Sequence, residues 1–99
     1  MDEKQYGRAE QTYRDAVRRS RETLPPAHQN IGIQQIKLGH ALLLQNRYRE
    51  AEAETRSGFN IVTGQTNPQR SWLEIGRRDL RAIYVALNEP EKARQFEEH

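Results

Sequence analysis

The sequence predicts an all-α fold in which antiparallel helical hairpins stack on one another. The first observation is an internal repeat of 42 residues, the interval that separates Ala9 from Ala51 and Ala51 from Ala93. The second is that apolar residues recur at helical spacing in five segments, and the third is that the connections between those segments are short. Periods of about 20–50 residues are typical of stacked repeat arrays. We therefore expect a right-handed solenoid fragment of about five helices.

The repeated positions are those that determine helix packing and chain reversal. The matched pairs are Tyr6 with Tyr48, Ala9 with Ala51, Glu10 with Glu52, Arg14 with Arg56, Pro26 with Pro68, Leu38 with Leu80, and Asn46 with Asn88. Because short loops force neighbouring helices to run antiparallel, each unit is expected to be a helix pair.

The first two helices are predicted from the apolar spacing and from the residues that stop each helix. The first runs from about Lys4 to Thr23 and ends before Pro25, which disfavours helix at the preceding residue. Its apolar stripe is formed by Tyr6, Ala9, Tyr13, Ala16, Val17 and Ser20. A second helix is expected from about His28 to Gln45, followed by Asn46 as a left-handed cap.

The third helix is predicted from about Tyr48 to Thr63 and is closed by Gly64. Glycine inside a helix costs about 1 kcal/mol relative to alanine, so Gly58 is tolerable only where a neighbouring helix comes very close. Ala51 and Gly58 lie seven residues apart on one face. This small-residue pattern argues against a HEAT-type array, the main structural alternative of similar period.

The last two helices are predicted from prolines and asparagines. Asn67 is expected to cap the fourth helix, with Pro68 at its first position, where no amide donor is missed. The fourth helix should reach Leu87, with Asn88 as the turn. Pro90 is then expected to begin a fifth helix that runs to the end of the chain.

The composition limits both the core and the chemistry open to the chain. Hydrophobic residues make up 34% of the 99 residues and charged residues 30%, so residues 1–99 are expected to form one small domain with a thin core. The sequence has no cysteine, which excludes disulfides and thiolate metal sites. No apolar run approaches the roughly 20 residues of a membrane helix, and the N-terminus is polar. We expect a cytoplasmic protein with no membrane partner.

The charged residues are balanced and interspersed. Sixteen basic residues stand against fourteen acidic ones, for a formal net charge of +2, and pairs such as Asp15 with Arg19 have helical spacing. A nucleic-acid-binding surface would collect its basic residues on one face, so the pattern favours an ordinary solvated helix surface. The alternative is a nucleic-acid-binding helical repeat that uses the arginine clusters, which a salt-dependent affinity would reveal. These clusters are Arg18, Arg19 and Arg21, and Arg77, Arg78 and Arg81.

A pattern in the middle of the chain resembles a known family. It reads Leu38-Gly39…Leu42…Asn46-x-Tyr48-x-x-Ala51-Glu52…Gly58 and resembles the tetratricopeptide repeat. The 42-residue length and the proline-led first helix resemble the kinesin-light-chain variant of that repeat. The stretch from Tyr48 to Ala93 is similar to the last repeats of bacterial multidomain regulators, such as serine/threonine kinases with tetratricopeptide tails.

The resemblance implies three units within the single domain. These are the second helix of a truncated repeat at 4–24, a complete repeat at 28–63, and a C-terminal, degenerate capping repeat at 67–99. The last unit is expected to be degenerate because several residues depart from the family pattern. The departures are Thr55 and Glu97 in place of large residues, Arg81 in place of a small one, and Asn67-Pro68 in place of His-Pro.

The resemblance also implies where a partner would bind. Tetratricopeptide arrays bind a helix or peptide in a concave groove, and the matching positions are Ile33, Ile36, His40, Leu43, Leu44, Ile75 and Arg78. With no helix preceding the first, we expect Ile33, Ile36 and Leu43 to lack the neighbour that would bury them. Burial of each is worth roughly 1.5–3 kcal/mol, which would drive homodimerisation. The predicted function is a protein–protein interaction or scaffold module.

Other candidate residues have structural explanations that we favour. Histidine is a common ligand and switch residue, but no second ligand stands at metal spacing on the face of His40, so a packed or partly exposed histidine is preferred. The cluster at Arg77, Arg78 and Arg81 suits a carboxylate or phosphate, yet Glu74 can neutralise either Arg77 or Arg78. The aromatic residues that fall on core stripes are Tyr6, Tyr48, Trp72 and Tyr84.

Motifs of catalysis are missing from the sequence. It contains no nucleophile elbow, phosphate-binding loop or dinucleotide fingerprint. We therefore expect no enzyme activity, cofactor, metal or small-molecule substrate.

Overall fold

Five α-helices joined by short loops make up the part of the chain that the computed structural model describes, residues 3–97. They are α1 (Glu3–Thr23), α2 (Gln29–Leu43), α3 (Tyr48–Thr63), α4 (Arg70–Ala86) and α5 (Pro90–Arg94). No strand occurs between residues 3 and 97. The predicted all-α class and the number of helices are confirmed.

The helices are arranged in two layers around α2. Each helix packs against the next one in the chain, and α2 also packs against α4. The molecule measures 37 × 36 × 19 Å, and its smallest dimension is close to two helix diameters of about 10 Å each. Because α2 touches α1, α3 and α4, it is the most buried helix. Continuation of this packing into a right-handed solenoid stays a prediction.

The two turns that follow α2 and α4 have the same geometry. Asn46 and Asn88 have φ values of 60° and 57°, the left-handed region that asparagine tolerates better than most residues. The amide of Arg47 donates to the Leu42 carbonyl at 3.0 Å, and the amide of Glu89 donates to the Tyr84 carbonyl at 2.8 Å. Each partner in the second turn lies 42 residues after its equivalent, so the predicted left-handed cap at Asn46 and the predicted turn at Asn88 are confirmed.

The core repeats in the same register. Ala51 belongs to a buried cluster with Leu38 and Leu42, and Ala93 belongs to one with Leu80 and Tyr84. These residues are again 42 positions apart, so the sequence repeat is a repeat of packing. Ala9 is only half-buried, and α2 is the only helix in contact with α1 among the described residues.

Glycines let α2 and α3 pass very close to each other. A Cβ atom added at Gly32 would lie 2.8 Å from the carbonyl oxygen of Gly58, and one added at Gly58 would overlap the carbonyl oxygen of Gly32. A Cβ atom at Gly39 would overlap the hydroxyl of Thr55. The close approach that Gly58 predicts is confirmed.

The beginning of α4 differs from the prediction. Asn67 does not cap this helix and Pro68 is not its first residue, since α4 begins at Arg70 with Gln69 as the extended residue before it. The amide of Gln69 donates to Oε1 of Gln29 on α2 at 2.8 Å. This hydrogen bond holds Gln69, the one residue between the proline and the helix, in the extended conformation.

The end of α5 also differs from the prediction. The helix stops at Arg94 instead of running to the end of the chain, and residues 98–99 lie outside the described part. Phe96 turns inward and is 7% exposed, with its ring centroid 5.9 Å from Tyr84 and 5.7 Å from Phe59. Burial of this ring accounts for the early end of the helix.

Candidate binding groove

A groove between α1, α2 and α4 collects most of the predicted partner-binding residues. It encloses a cavity of about 260 Å³, and we call it the α2–α4 groove. It is lined by Tyr13, Ile36, Lys37, His40, Ala41, Leu44, Trp72, Ile75 and Arg78. Five of the seven predicted residues therefore meet here, namely Ile36, His40, Leu44, Ile75 and Arg78.

The predicted residues Ile33, Ile36 and Leu43 do not form the exposed stripe that was expected. Ile33 is 7% exposed and Ile36 is 0% exposed, because both pack against Val62 on α3 and against side chains of α4. Leu43 is half-buried against a different cluster, which contains Val17. The expectation that Ile33 and Ile36 lack a covering neighbour is wrong, since α3 and α4 supply it, and Leu43 is partly covered. The argument for a homodimer through this stripe loses its basis.

A buried carboxylate contacts two residues that line the groove, His40 and Arg78. Asp79 is 2% exposed, and its Oδ2 lies 2.9 Å from Nδ1 of His40. Nε and Nη2 of Arg78 each donate to Oδ1 of Asp79 at 3.2 Å. These bonds offset the cost of removing a charge from water. The contact with His40 also ties α4 to α2. One carboxylate oxygen of Asp79 contacts the arginine and the other contacts the histidine.

Sequence reasoning missed Asp79, although a signal was present. Asp79 stands on the apolar stripe of α4, between Gly76 and Ile83. A charged residue on such a stripe must find a partner when it is buried. That partner, His40, lies 39 residues earlier in the chain, so only the packing of α2 on α4 reveals the pair.

The walls of the groove combine aliphatic, aromatic and cationic side chains. Trp72 was predicted to be a core residue, but it is half-buried and one part of it lines the groove. Nζ of Lys37 lies 5.2 Å from the Trp72 ring centroid, which is within range of a cation–π interaction. Leu44 is 40% exposed at the edge of the groove. A ligand would thus contact apolar side chains inside the groove and cationic side chains at its edge.

The α1 wall is held in place by Glu10. One carboxylate oxygen accepts from Nε of Arg14 at 2.9 Å, and the other accepts from Nη1 of Arg47 at 2.6 Å and from Nε2 of Gln45 at 3.1 Å. Burial alone would raise the pKa of Glu10, but the hydrogen bonds from Arg14 and Gln45 and the charge of Arg47 outweigh it. The pKa of Glu10 is therefore held below its ordinary value.

The predicted arginine cluster borders a separate depression of about 430 Å³. Arg77, Arg78 and Arg81 line it together with Glu74 and Phe96. Arg78 pairs with Asp79, and within residues 3–97 neither Arg77 nor Arg81 forms an ion pair. The expected neutralisation by Glu74 is not formed.

A wider depression of about 630 Å³ lies between α3 and α5. Several of its polar groups already have partners inside the protein. Nη1 of Arg56 donates to the Tyr84 hydroxyl at 3.0 Å, and Lys92 pairs with Glu89. Burial, together with the Glu52 carboxylate, raises the pKa of the Tyr84 phenol. Because its walls are less apolar than those of the α2–α4 groove, this depression is a weaker candidate.

The described residues contain neither a metal-binding cluster nor a membrane-spanning helix. Among the residues that the structure describes, no group of three or more histidine, cysteine, aspartate or glutamate side chains could hold a metal ion. None of the helices in that part of the chain has both the length and the apolar character that a membrane crossing requires.

Comparison with known proteins gave no match to a family model, to a curated protein or to a solved structure. The fold places the chain in the class of all-α proteins built from repeated helix pairs. The tetratricopeptide resemblance stays a prediction.

Proposed function

We propose that this chain is a protein–protein interaction module that binds a partner helix or peptide in the α2–α4 groove. The observation that carries the proposal is the meeting of Ile36, His40, Leu44, Ile75 and Arg78 around one cavity. Two of these residues lie on α2, two lie on α4, and Leu44 follows the last residue of α2. The sequence alone predicts all five as partner-binding residues.

The size and lining of the groove suit an inserted side chain. Complete small-molecule pockets usually measure about 300–1,000 Å³, and the groove encloses about 260 Å³. The lining around Leu44, Trp72 and Ile75 is mainly apolar, with cationic groups at the edge. An anchoring side chain from a helix or an extended peptide would bury apolar surface there while its backbone stays at the rim.

The groove is better suited to binding than to catalysis. His40 and Asp79 form a pair that could orient a base, but the lining of the groove contains no serine, threonine or cysteine that His40 could activate. A role as a regulatory or scaffolding tail of a larger cytoplasmic protein, as the tetratricopeptide resemblance implies, agrees with a binding groove.

A selection experiment tests the proposal. Peptides selected from a random library against the intact chain are measured by fluorescence anisotropy on the wild type and on Leu44→Asp. Leu44 is partly exposed, so its replacement should leave the fold intact, and we expect a loss of affinity of tenfold or more. Val85→Asp is the matched control, because Val85 is 66% exposed and lies outside the groove. Equal affinities for wild type and Leu44→Asp would refute the proposal.

A second copy of this chain, bound through the same groove to form a homodimer, is one form of the proposed partner. It would need Leu44 at the rim, since Ile33 and Ile36 are buried within the chain. Light scattering at micromolar concentration, with and without Leu44→Asp, separates self-association from the capture of a different protein. A monomer in both cases leaves a heterologous partner as the proposed ligand.

A further inference from the structure

The contact between Asp79 and His40 determines which ring nitrogen of His40 carries a proton. Oδ1 of Asp79 accepts two N–H groups of Arg78, so the carboxylate acts as an acceptor. Its Oδ2 lies 2.9 Å from Nδ1 of His40, and two acceptors at that distance would repel each other. The proton therefore lies on Nδ1, which donates to Asp79. A neutral imidazole with Nδ1 protonated has Nε2 as a lone-pair acceptor.

The Nε2 atom is available to a ligand. The His40 side chain is 40% exposed and lines the groove. Within the described residues, the only hydrogen bond of its ring is the one that Nδ1 makes to Asp79. The groove thus presents an acceptor beside apolar walls formed by Ile36, Leu44 and Ile75.

The charged groups around His40 determine which kind of hydrogen-bond donor a ligand can offer to its Nε2 atom. Lys37 comes from the same helix, Arg78 and Asp79 come from α4, and Tyr13 comes from α1. The carboxylate of Asp79 is already shared between two partners, which leaves Lys37 and Arg78 as the charges that a ligand meets. These two cations would repel an ammonium or guanidinium group, so the complementary ligand carries a neutral hydrogen-bond donor. Because the surrounding walls are apolar, that donor should be attached to an apolar group.

We infer that His40 makes the α2–α4 groove selective for an apolar group that carries a neutral N–H donor. This inference rests on the proposed function, since it specifies the chemistry of the anchoring side chain. It includes a pH dependence with a definite sign. Protonation of His40 turns Nε2 into a donor, so the preference for an N–H group should disappear once His40 is protonated.

The tautomer is tested first, without any ligand. The ¹⁵N chemical shifts of the His40 ring distinguish the two neutral tautomers. We expect the Nδ1–H form in the wild-type chain, and we expect the Nε2–H form to appear in Asp79→Asn. A wild-type ring in the Nε2–H form would overturn the inference, whether or not Asp79→Asn folds.

The selectivity is tested with a pair of small probes. Indole and 1-methylindole differ at the N–H group, and each is titrated into the ¹⁵N-labelled chain while the amide signals of groove residues are followed. One hydrogen bond contributes about 1 kcal/mol, so indole should bind about fivefold more tightly than 1-methylindole. His40→Phe should remove this difference, and Val85→Asp, which lies outside the groove, should keep it. The difference should also vanish below the pH at which the His40 signals show a protonated ring.

The outcomes separate this inference from the proposed function. Equal binding of the two probes to the wild-type chain would overturn the donor preference and leave the groove as a binding site. Binding of neither probe at millimolar concentration would overturn both.

Discussion

Thr55→Val is expected to stabilise the fold, because the Thr55 hydroxyl is buried without a hydrogen bond. Thr55 is 0% exposed, and its Oγ1 has no partner among the described residues. A buried polar group that lacks a partner costs roughly 1–3 kcal/mol. Valine keeps the branched shape and replaces the hydroxyl with a methyl group.

The gain should lie at the lower end of that range. Oγ1 of Thr55 occupies the space that a Cβ atom at Gly39 would need, and a methyl group in this place is larger than a hydroxyl. Part of the gain is therefore offset by tighter packing between α2 and α3. We expect the free energy of unfolding to rise by about 1 kcal/mol, which corresponds to about 4–8 °C in Tm for a domain of this size.

Urea denaturation followed by far-ultraviolet circular dichroism measures this change. Thr55→Ser is the matched control, because it keeps the hydroxyl and removes only the methyl group. The serine variant should be less stable than the wild type, and the valine variant more stable. A valine variant that is no more stable than the wild type would refute the reasoning, since it would show that the hydroxyl contributes in place.

Three further predictions follow from other parts of the structure. Gly58→Ala should lower the free energy of unfolding by about 1–3 kcal/mol in urea titrations, because the new methyl group overlaps the α2 backbone. Gly7→Ala is the control, since no atom lies within 4 Å of the new carbon, and it should raise the free energy of unfolding by up to about 1 kcal/mol. Asn88→Ala should destabilise the chain by about 1 kcal/mol because of its φ of 57°, and Asn88→Gly should not; equal losses would contradict this reasoning. The pKa of Glu10 lies below its ordinary value of 4.5, so its contribution to stability is complete above that pH and is lost as the pH falls through the lowered pKa. Glu10→Gln should therefore be less stable at pH 7 and should lose less stability on acidification, as urea midpoints measured across that range will show.

The features of the fold that depend on local chemistry were predictable from the sequence. Asn46 and Asn88 mark the two left-handed turns because asparagine tolerates positive φ, and this tolerance needs no knowledge of distant residues. Gly58 marks the close helix crossing because an interior glycine is unfavourable unless backbone must approach backbone.

The features that depend on where α4 lies were not predictable in the same way. The burial of Ile36 and the role of Asp79 both arise from the packing of α4 on α2. An apolar stripe shows that a helix face needs cover, but it does not show which helix provides it. The beginning of α4 was missed for a related reason, since the side chain of Gln29 on α2 fixes the backbone at Gln69.

The single-sided attachment of α1 has a consequence for how the groove opens. α2 is the only helix in contact with α1 within residues 3–97, and the bonds of Glu10 to Gln45 and Arg47 fasten it to the turn after α2. An element held on one side detaches at a lower free energy than the rest of the domain. Amide hydrogen exchange should therefore be faster in α1 than in α2. Tyr13 would move away with α1. The groove would then lose the wall that α1 forms, while the walls formed by α2 and α4 stay in place.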